Sequence, residues 1–311
     1  MITRWSPIRT ALLEKARTAA LPPRQTYEVL APIQSRSEII HRFNPSLIRF
    51  AGRWLMAYRV GRLQSRIALA ELDDALRPRT ETLLALPSHA ESRDGEEDPR
   101  LFLFRGELWL SYTGLARPRN TIMLARIRPD GVVVEHLVPD FPARQMREKN
   151  WVFFESGGEL HAVYHGAPHR LLRIIGGRAE LLPGESRQFT PPTAFPWAFG
   201  DVRGGAPPVL VEGEWHHFFH THIPQKPDRP LYCLGLYTFS DAPSFEISRL
   251  ARMPLYAPTG ARADEQTPYV VFPGGAVFDE DRWLISVGEW DAYCRILEYS
   301  RSDIESRLEV A

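Results

Sequence analysis

GRWLMAYR (residues 52–59), GELWLSYT (106–113), GELHAVYH (158–165), GEWHHFFH (213–220) and DRWLISVG (281–288) are five versions of one segment, each opening with Gly or Asp, one residue, then Trp or Leu. A second apolar run starts eight residues before each: NPSLIRFA at Asn44, DPRLFLFR at Asp98, NWVFFESG at Asn150, GAPPVLVE at Gly205 and PGGAVFDE at Pro273. Apolar strand, polar turn and aromatic strand together make a tight hairpin. The steps between turns are 54, 52, 55 and 68 residues, a period that fits one four-stranded sheet per repeat. Helical solenoids are excluded by the Val, Phe, Tyr, Trp and Leu runs broken by Gly, Pro and Asp between residues 44 and 300. Five such sheets predict an all-β, five-bladed β-propeller.

The chain of 311 residues is therefore expected to be a single domain over 1–311, with blades at roughly 40–90, 91–142, 143–197, 198–260 and 261–311. Residues 1–39 supply an N-terminal helix (about 6–20, stopped by Pro22-Pro23) and a strand within 26–34 that completes the last blade. Residues 295–299 read as a strand and 302–308 as a helical turn, so short helices flank the ring and both termini are expected to meet at the closing blade, removing exposed edges.

Net charge is zero and the pI about 7.2, so no global field draws nucleic acid or an anionic membrane. No apolar run reaches the roughly 18 residues of a membrane span. Only Cys233 and Cys294 are present, too few for a disulfide scaffold, and the N-terminal segment lacks the apolar core of a signal peptide; a cytoplasmic location is expected. Oligomeric state is left open by the sequence.

In a propeller the start of each first strand and the end of each second strand lie at one mouth of the central channel. The five starts are Asn44, Asp98, Asn150, Gly205 and Pro273; the ends are Arg59, Thr113, His165, His220 and Gly288, with Glu289 and Asp291 just beyond. Asp98, within GEEDPRLF beside Glu96, Glu97 and Arg100, is expected to have a raised pKa from crowding by like charge, which suits a general acid. Arg117, Arg119 and Arg203 flank the same mouth and suit bidentate contact with phosphate or carboxylate. The long segments 87–97, 114–120 and 190–205 are expected to carry binding function. A zinc site in HHFFHTH is disfavoured, since His216, His220 and His222 share one strand face and His217 does not; no metal or cofactor is expected. Neither Cys lies in a nucleophile motif and no Gly-x-Ser-x-Gly elbow occurs, which argues against acyl transfer.

With GEEDPRLF, EKNWVFF (148–154), YHG (164–166), RGGAPPV (203–209), FFHTH (218–222), FPGGAVF (272–278) and VGEWD (287–291), residues 40–300 resemble the five-bladed propeller enzymes of glycoside hydrolase family 130 and, equally, glycosyltransferase family 108. The resemblance implies inverting phosphorolysis or glycosyl transfer on β-mannosides, with Asp98 as general acid. It implies phosphate held by Arg, Lys and His at the mouth, here Arg59, Arg117 or Arg119, Lys149, Arg203 and His220, and a sugar held by Asn44, Arg59, Arg100, Asn150, Trp151, His165 and Asp291. The expected partner is an oligosaccharide or sugar phosphate, with inorganic phosphate as co-substrate. Two other readings stay open: an inverting hydrolase using Asp98 with Glu148 or Glu289 as base, and a non-catalytic glycan-binding propeller stacking sugars on Trp109, Trp151, Trp197 and Trp290. Two departures from the family pattern are VGEWD in the last blade and His161 after the third turn.

Overall fold

In the computed structural model, residues 7–34, 39–182, 199–223, 231–259 and 269–310 are described; the side chains of 7–10 are not. Five antiparallel sheets form the ring. Blade I comprises Arg42–Phe50, Arg53–Val60, Arg66–Leu72 and Pro78–Leu83; blade II comprises Gly95–Phe104, Glu107–Ala116, Arg119–Ile127 and Val133–Leu137. Blade III is Val152–Ser156, Glu159–Gly166, His169–Ile175 and Arg178–Leu181. Blade IV has its inner strand in two pieces, Asp201–Arg203 and Val209–Val211, followed by Glu214–His222, Leu234–Ser240 and Ile247–Ala251. In blade V, Val271–Asp279, Arg282–Glu289 and Tyr293–Ser300 are joined by the N-terminal strand Gln25–Leu30, which pairs with Tyr293–Ser300.

The repeat has a direct physical origin. At each of the five hairpins two consecutive residues have positive φ: Ala51 and Gly52, Arg105 and Gly106, Gly157 and Gly158, Glu212 and Gly213, Glu280 and Asp281. Two left-handed residues make a type I′ turn, whose twist matches that of the flanking strands and favours Gly at its second position. Blade V uses Asp281 at φ 65, a residue that tolerates this conformation better than most.

The middle strands of each blade are buried on both faces because each blade is sandwiched between two others, whereas outer strands such as Pro78–Leu83 are largely exposed. In the second strand of blade I, Trp54, Met56 and Tyr58 pack against blade V, while Leu55 and Ala57 pack against blade II; alternation with period two sends successive side chains to opposite neighbours. The same arrangement fills the seams II–III, III–IV and IV–V. Helix α1, Pro7–Ala19, covers the III–IV seam through Leu13 and Ala16.

The C-terminus departs from expectation. After helix α2, Arg301–Glu305, the strand Leu308–Val310 pairs with Ile247–Ala251 of blade IV rather than staying with blade V. Arg249 holds it there, pairing with Glu305 of the helix and Glu214 of its own blade.

Neighbouring inner strands touch backbone to backbone. A Cβ on Gly204 would lie 2.0 Å from Asn150 O, on Gly274 2.3 Å from Pro45 O and on Gly275 2.4 Å from Leu47 N, while on Gly205 it would meet the second strand of its own blade, 2.1 Å from Phe218 O. At the end of the ring opposite the polar mouth lies a cavity of about 540 Å³, lined by apolar residues contributed by all five blades, among them Leu47, Leu101, Phe153, Pro208 and Val277. Two substitutions separate these uses of glycine. Gly106→Ala, whose methyl group meets open space, is expected to cost about 1 kcal/mol through its φ alone. Gly205→Ala is expected to cost about 3 kcal/mol or more by forcing two strands apart. Chemical denaturation of both variants checks the ordering.

Candidate active site

The polar mouth is built on one local device used three times. Asn44, Asp98 and Asn150 all adopt left-handed backbone conformations, with φ of 52, 55 and 63. In blades I and II the strand register slips at that point, between Phe43 and Ser46 and between Glu97 and Arg100. A bulge of this kind re-aims a side chain, and Asn and Asp are the residues that tolerate the conformation. At the equivalent positions blades IV and V present Gly205 and Pro273 instead.

Asp98 is buried at the centre of this arrangement, and Asn44 Nδ2 donates to its Oδ1 at 2.9 Å. Gly288 leaves the room for Asn44, since a Cβ there would stand 2.2 Å from Asn44 Oδ1. The adjacent Glu97 bridges two cations, Lys149 at 2.7 Å and Arg59 at 3.0 Å. Glu96 points the other way, toward Arg66 at 3.2 Å.

The expected rise in the Asp98 pKa is not found. Burial pushes its carboxyl up, but Lys149, Arg59 and Arg100, with the Asn44 hydrogen bond, outweigh burial and hold it below the usual carboxylate range. The like-charged neighbours seen in the sequence are neutralised by cations that arrive from blade I and from the segment before blade III. Burial instead raises Glu96 and Glu289 and also Asp291, which stands at about 6, driven up first by burial and then by the charges of Asp98 and Glu97, against Arg59 and Arg62. Asp291 follows Trp290 in a second pair of left-handed residues, φ 60 and 51.

The remaining candidates fall into three groups. Asn150, His165 and Arg203 line a small pocket of about 100 Å³ together with Arg147, Glu148, Lys149 and Tyr164. Arg117, Arg147 and Lys149 line a second cavity of about 620 Å³ with Glu97 and Asn120; Arg119, two residues along from Arg117, is exposed beside it. Hydrogen bonds from Asn120 N to Met146 O at 3.1 Å and from Glu148 N to Asn120 O at 3.0 Å lay the segment 145–150 along blade II, which delivers Arg147 and Lys149 to that cavity.

The third group is committed to the protein itself. The Arg100 guanidinium is 1% exposed and bonded throughout to protein acceptors. Trp151 is buried in the II–III seam, its indole N–H donated to Glu148 at 3.0 Å. Trp109 lies in the same seam, so neither tryptophan presents a free face for a sugar, and Trp197 lies outside the described residues along with 183–198. Glu148 also accepts from Gln145 N at 2.5 Å and Tyr164 Oη at 3.4 Å. Glu289 is fully buried, bound to Arg295 and accepting from Thr259 N at 2.8 Å; as a base it would first have to give up these partners. His220 is buried and pushed down to about 3 by burial and by Arg100, so it enters the site as a neutral ring. Among the described residues no cluster of His, Cys, Asp and Glu is arranged to hold a metal ion, and burial pushes the Cys233 thiol up to about 12.

Tyr232 was not anticipated. It stacks against His220 at 5.1 Å, and burial with the charges of Asp291 and Asp98 pushes its pKa to about 12. The signal was available: the third strand of each blade also begins at the polar mouth, and the residues there include Arg66, Arg119, His169, Tyr232 and Tyr293.

The ring and its mouth define a five-bladed β-propeller with a carboxylate and several cations at the hub. No protein-family model matches the chain, and no curated protein sequence does. Solved structures do. A β-1,2-mannobiose phosphorylase from Listeria innocua, in complex with β-1,2-mannobiose, is similar over 91% of this chain and 99% of its own, at TM-score 0.70 and 15% identity. A glycosyl hydrolase from Bacteroides ovatus is similar over 91% and 94%, at TM-score 0.71 and 14% identity. A mannose phosphorylase from Leishmania mexicana, in complex with phosphate, is similar over 98% and 97%, at TM-score 0.62 and 13% identity. The fold is thus the one used by mannoside phosphorylases, including those of glycoside hydrolase family 130.

Proposed function

We propose that the protein is a carbohydrate-active enzyme that carries out inverting phosphorolysis or glycosyl transfer on β-mannosides at the polar mouth. The observation that carries this reading is the hub itself, in which Asp98 is held by Asn44 and surrounded by Lys149, Arg59 and Arg100, with Asp291 as a second carboxyl of raised pKa. Two carboxyl groups pushed apart in pKa supply one proton donor and one anion. In the empty site the pair's proton rests on Asp291 and Asp98 is the anion; with saccharide bound that proton passes to Asp98, which donates it to the departing oxygen. The guanidinium groups of Arg117 and Arg147 have no carboxylate partner among the described residues and share a cavity with Lys149, a setting suited to phosphate as the attacking group. A phosphate oxygen attacks the anomeric carbon from the face opposite the leaving oxygen, the glycosidic bond breaks, and the leaving oxygen takes the Asp98 proton. The products are sugar 1-phosphate of inverted configuration and a shortened saccharide.

The test is incubation with β-1,2-mannobiose, with and without inorganic phosphate, followed by NMR. Phosphate-dependent α-mannose 1-phosphate is the expected product. Mannose released without phosphate would replace phosphorolysis by hydrolysis, a reading favoured by the second carboxyl, Asp291. Silence toward β-linked saccharides under both conditions would overturn the assignment.

A further inference from the structure

We infer that Arg100 is a positioning residue, which sets the direction of the Asp98 carboxyl by clamping the backbone of blade II to the inner strands of blades III and IV. This rests on the functional reading above only for the meaning of Asp98; the clamp is a matter of geometry.

Arg100 is two residues beyond Asp98 on the same strand, yet its guanidinium reaches three separate acceptors. Nη1 donates to Asp98 O at 3.1 Å, Nη2 to Asn150 Oδ1 at 3.0 Å and Nε to Gly205 O at 2.6 Å. Its charge lies over the Phe272 ring of blade V at 5.1 Å. One side chain therefore ties blade II to III and IV and contacts V, while Asn44 brings blade I to the same carboxylate.

The Asp98 carbonyl is the informative partner. A left-handed Asp is a strained choice, and such a residue persists only where its surroundings over-determine it. Arg100 Nη1 fixes the carbonyl, and with it the ψ angle of the left-handed residue whose side chain is aimed out of the bulge. Gly204 and Gly205 have no Cβ for the same reason, since one there would collide with Asn150 O and Phe218 O and push the Gly205 carbonyl out of reach of Nε. A fully buried cation would be expensive here without Asp98. Burial pulls the guanidinium down to about 10 and Asp98 opposes that, so it stays charged at neutral pH. Lysine supplies the charge as a single point but not the rigid fork that spans three acceptors.

Arg100→Lys and Arg100→Met separate clamp from charge. On β-1,2-mannobiose with phosphate, both are expected to lower kcat by about 100-fold with little change in KM, the size associated with a displacement of about 1 Å at a reacting group. NMR titration of the 13C-labelled Asp98 carboxyl, which needs no substrate, is expected to move upward in Arg100→Met and to stay near wild type in Arg100→Lys. If Arg100→Met does not fold, Arg100→Lys alone tests the clamp through kcat. A folded Arg100→Lys with wild-type kcat would overturn the proposal, as would a folded Arg100→Met with an unmoved Asp98 titration. A wild-type protein silent on every β-mannoside, but with the Asp98 titration displaced in Arg100→Met, would instead overturn the functional reading and leave the clamp standing.

Discussion

Asp98→Asn is expected to lower turnover of a β-mannoside by about 10²- to 10⁴-fold, the usual contribution of a general acid, with KM little altered. Asparagine suits the left-handed backbone there, as Asn44 and Asn150 show, so the fold should survive and the loss can be assigned to chemistry. The associated pH dependence comes from the pair. Asp98 is held below the usual range and Asp291 at about 6, so together they retain one proton below that pH and lose it above. A donor must be protonated to act; activity is therefore expected to be full below about pH 6 and to fall as pH rises through it. Asp291→Asn removes the neighbouring negative charge that raises the proton's hold, and is expected to shift the falling limb downward. A kcat/KM profile flat from pH 5 to 8 in the wild type would take the pair out of the mechanism.

Acidification should also unfold the protein, for a reason remote from the carboxylates. His169 and His220 are pushed down to about 3 and His217 well below its ordinary value, in each case mainly by burial, with Arg100 adding to the effect on His217 and His220. His169 Nδ1 lies 3.1 Å from Tyr237 Oη, and both His217 nitrogens are without a hydrogen-bond partner among the described residues. Such rings stay neutral in the fold and protonate near 6.5 in the unfolded chain. The cost of keeping His169 and His220 neutral is absent above about pH 6.5 and grows as pH falls toward 3, by about 1.4 kcal/mol per unit for each of these two rings. At pH 5 these two together remove roughly 4 kcal/mol, a large part of the stability of many domains, and His217 acts in the same direction. Thermal melts from pH 8 to 4 should show a steep fall in Tm below 6.5, and His217→Phe should flatten it. An unchanged slope in that variant would place the acid sensitivity elsewhere.

The ring was legible in the sequence because its turn carries a chemical requirement, a residue able to hold positive φ, at Gly52, Gly106, Gly158, Gly213 and Asp281. The strand-start register that leads from these turns to Asp98 was legible for the same reason. The electrostatics were not. Asp98 looks crowded by acids along the chain, but its field is set by Lys149 and Arg59, 51 and 39 residues away in sequence. Trp109 and Trp151 show the opposite difficulty, since an aromatic on a blade strand has the same sequence signature whether it faces a seam or a mouth. Here both fill the II–III seam. Tyr232 required counting third-strand starts as well as first and second. The C-terminal strand was hidden because its partner edge in blade IV lies across a seam rather than beside it in sequence.

The glycines that press the inner strands together have a consequence for traffic. Where a methyl group cannot fit between Gly204 and blade III or between Gly274 and blade I, a sugar ring cannot slip between the blades. On the proposed function, a saccharide therefore reaches Asp98 only along the channel axis, and its products leave along that axis too.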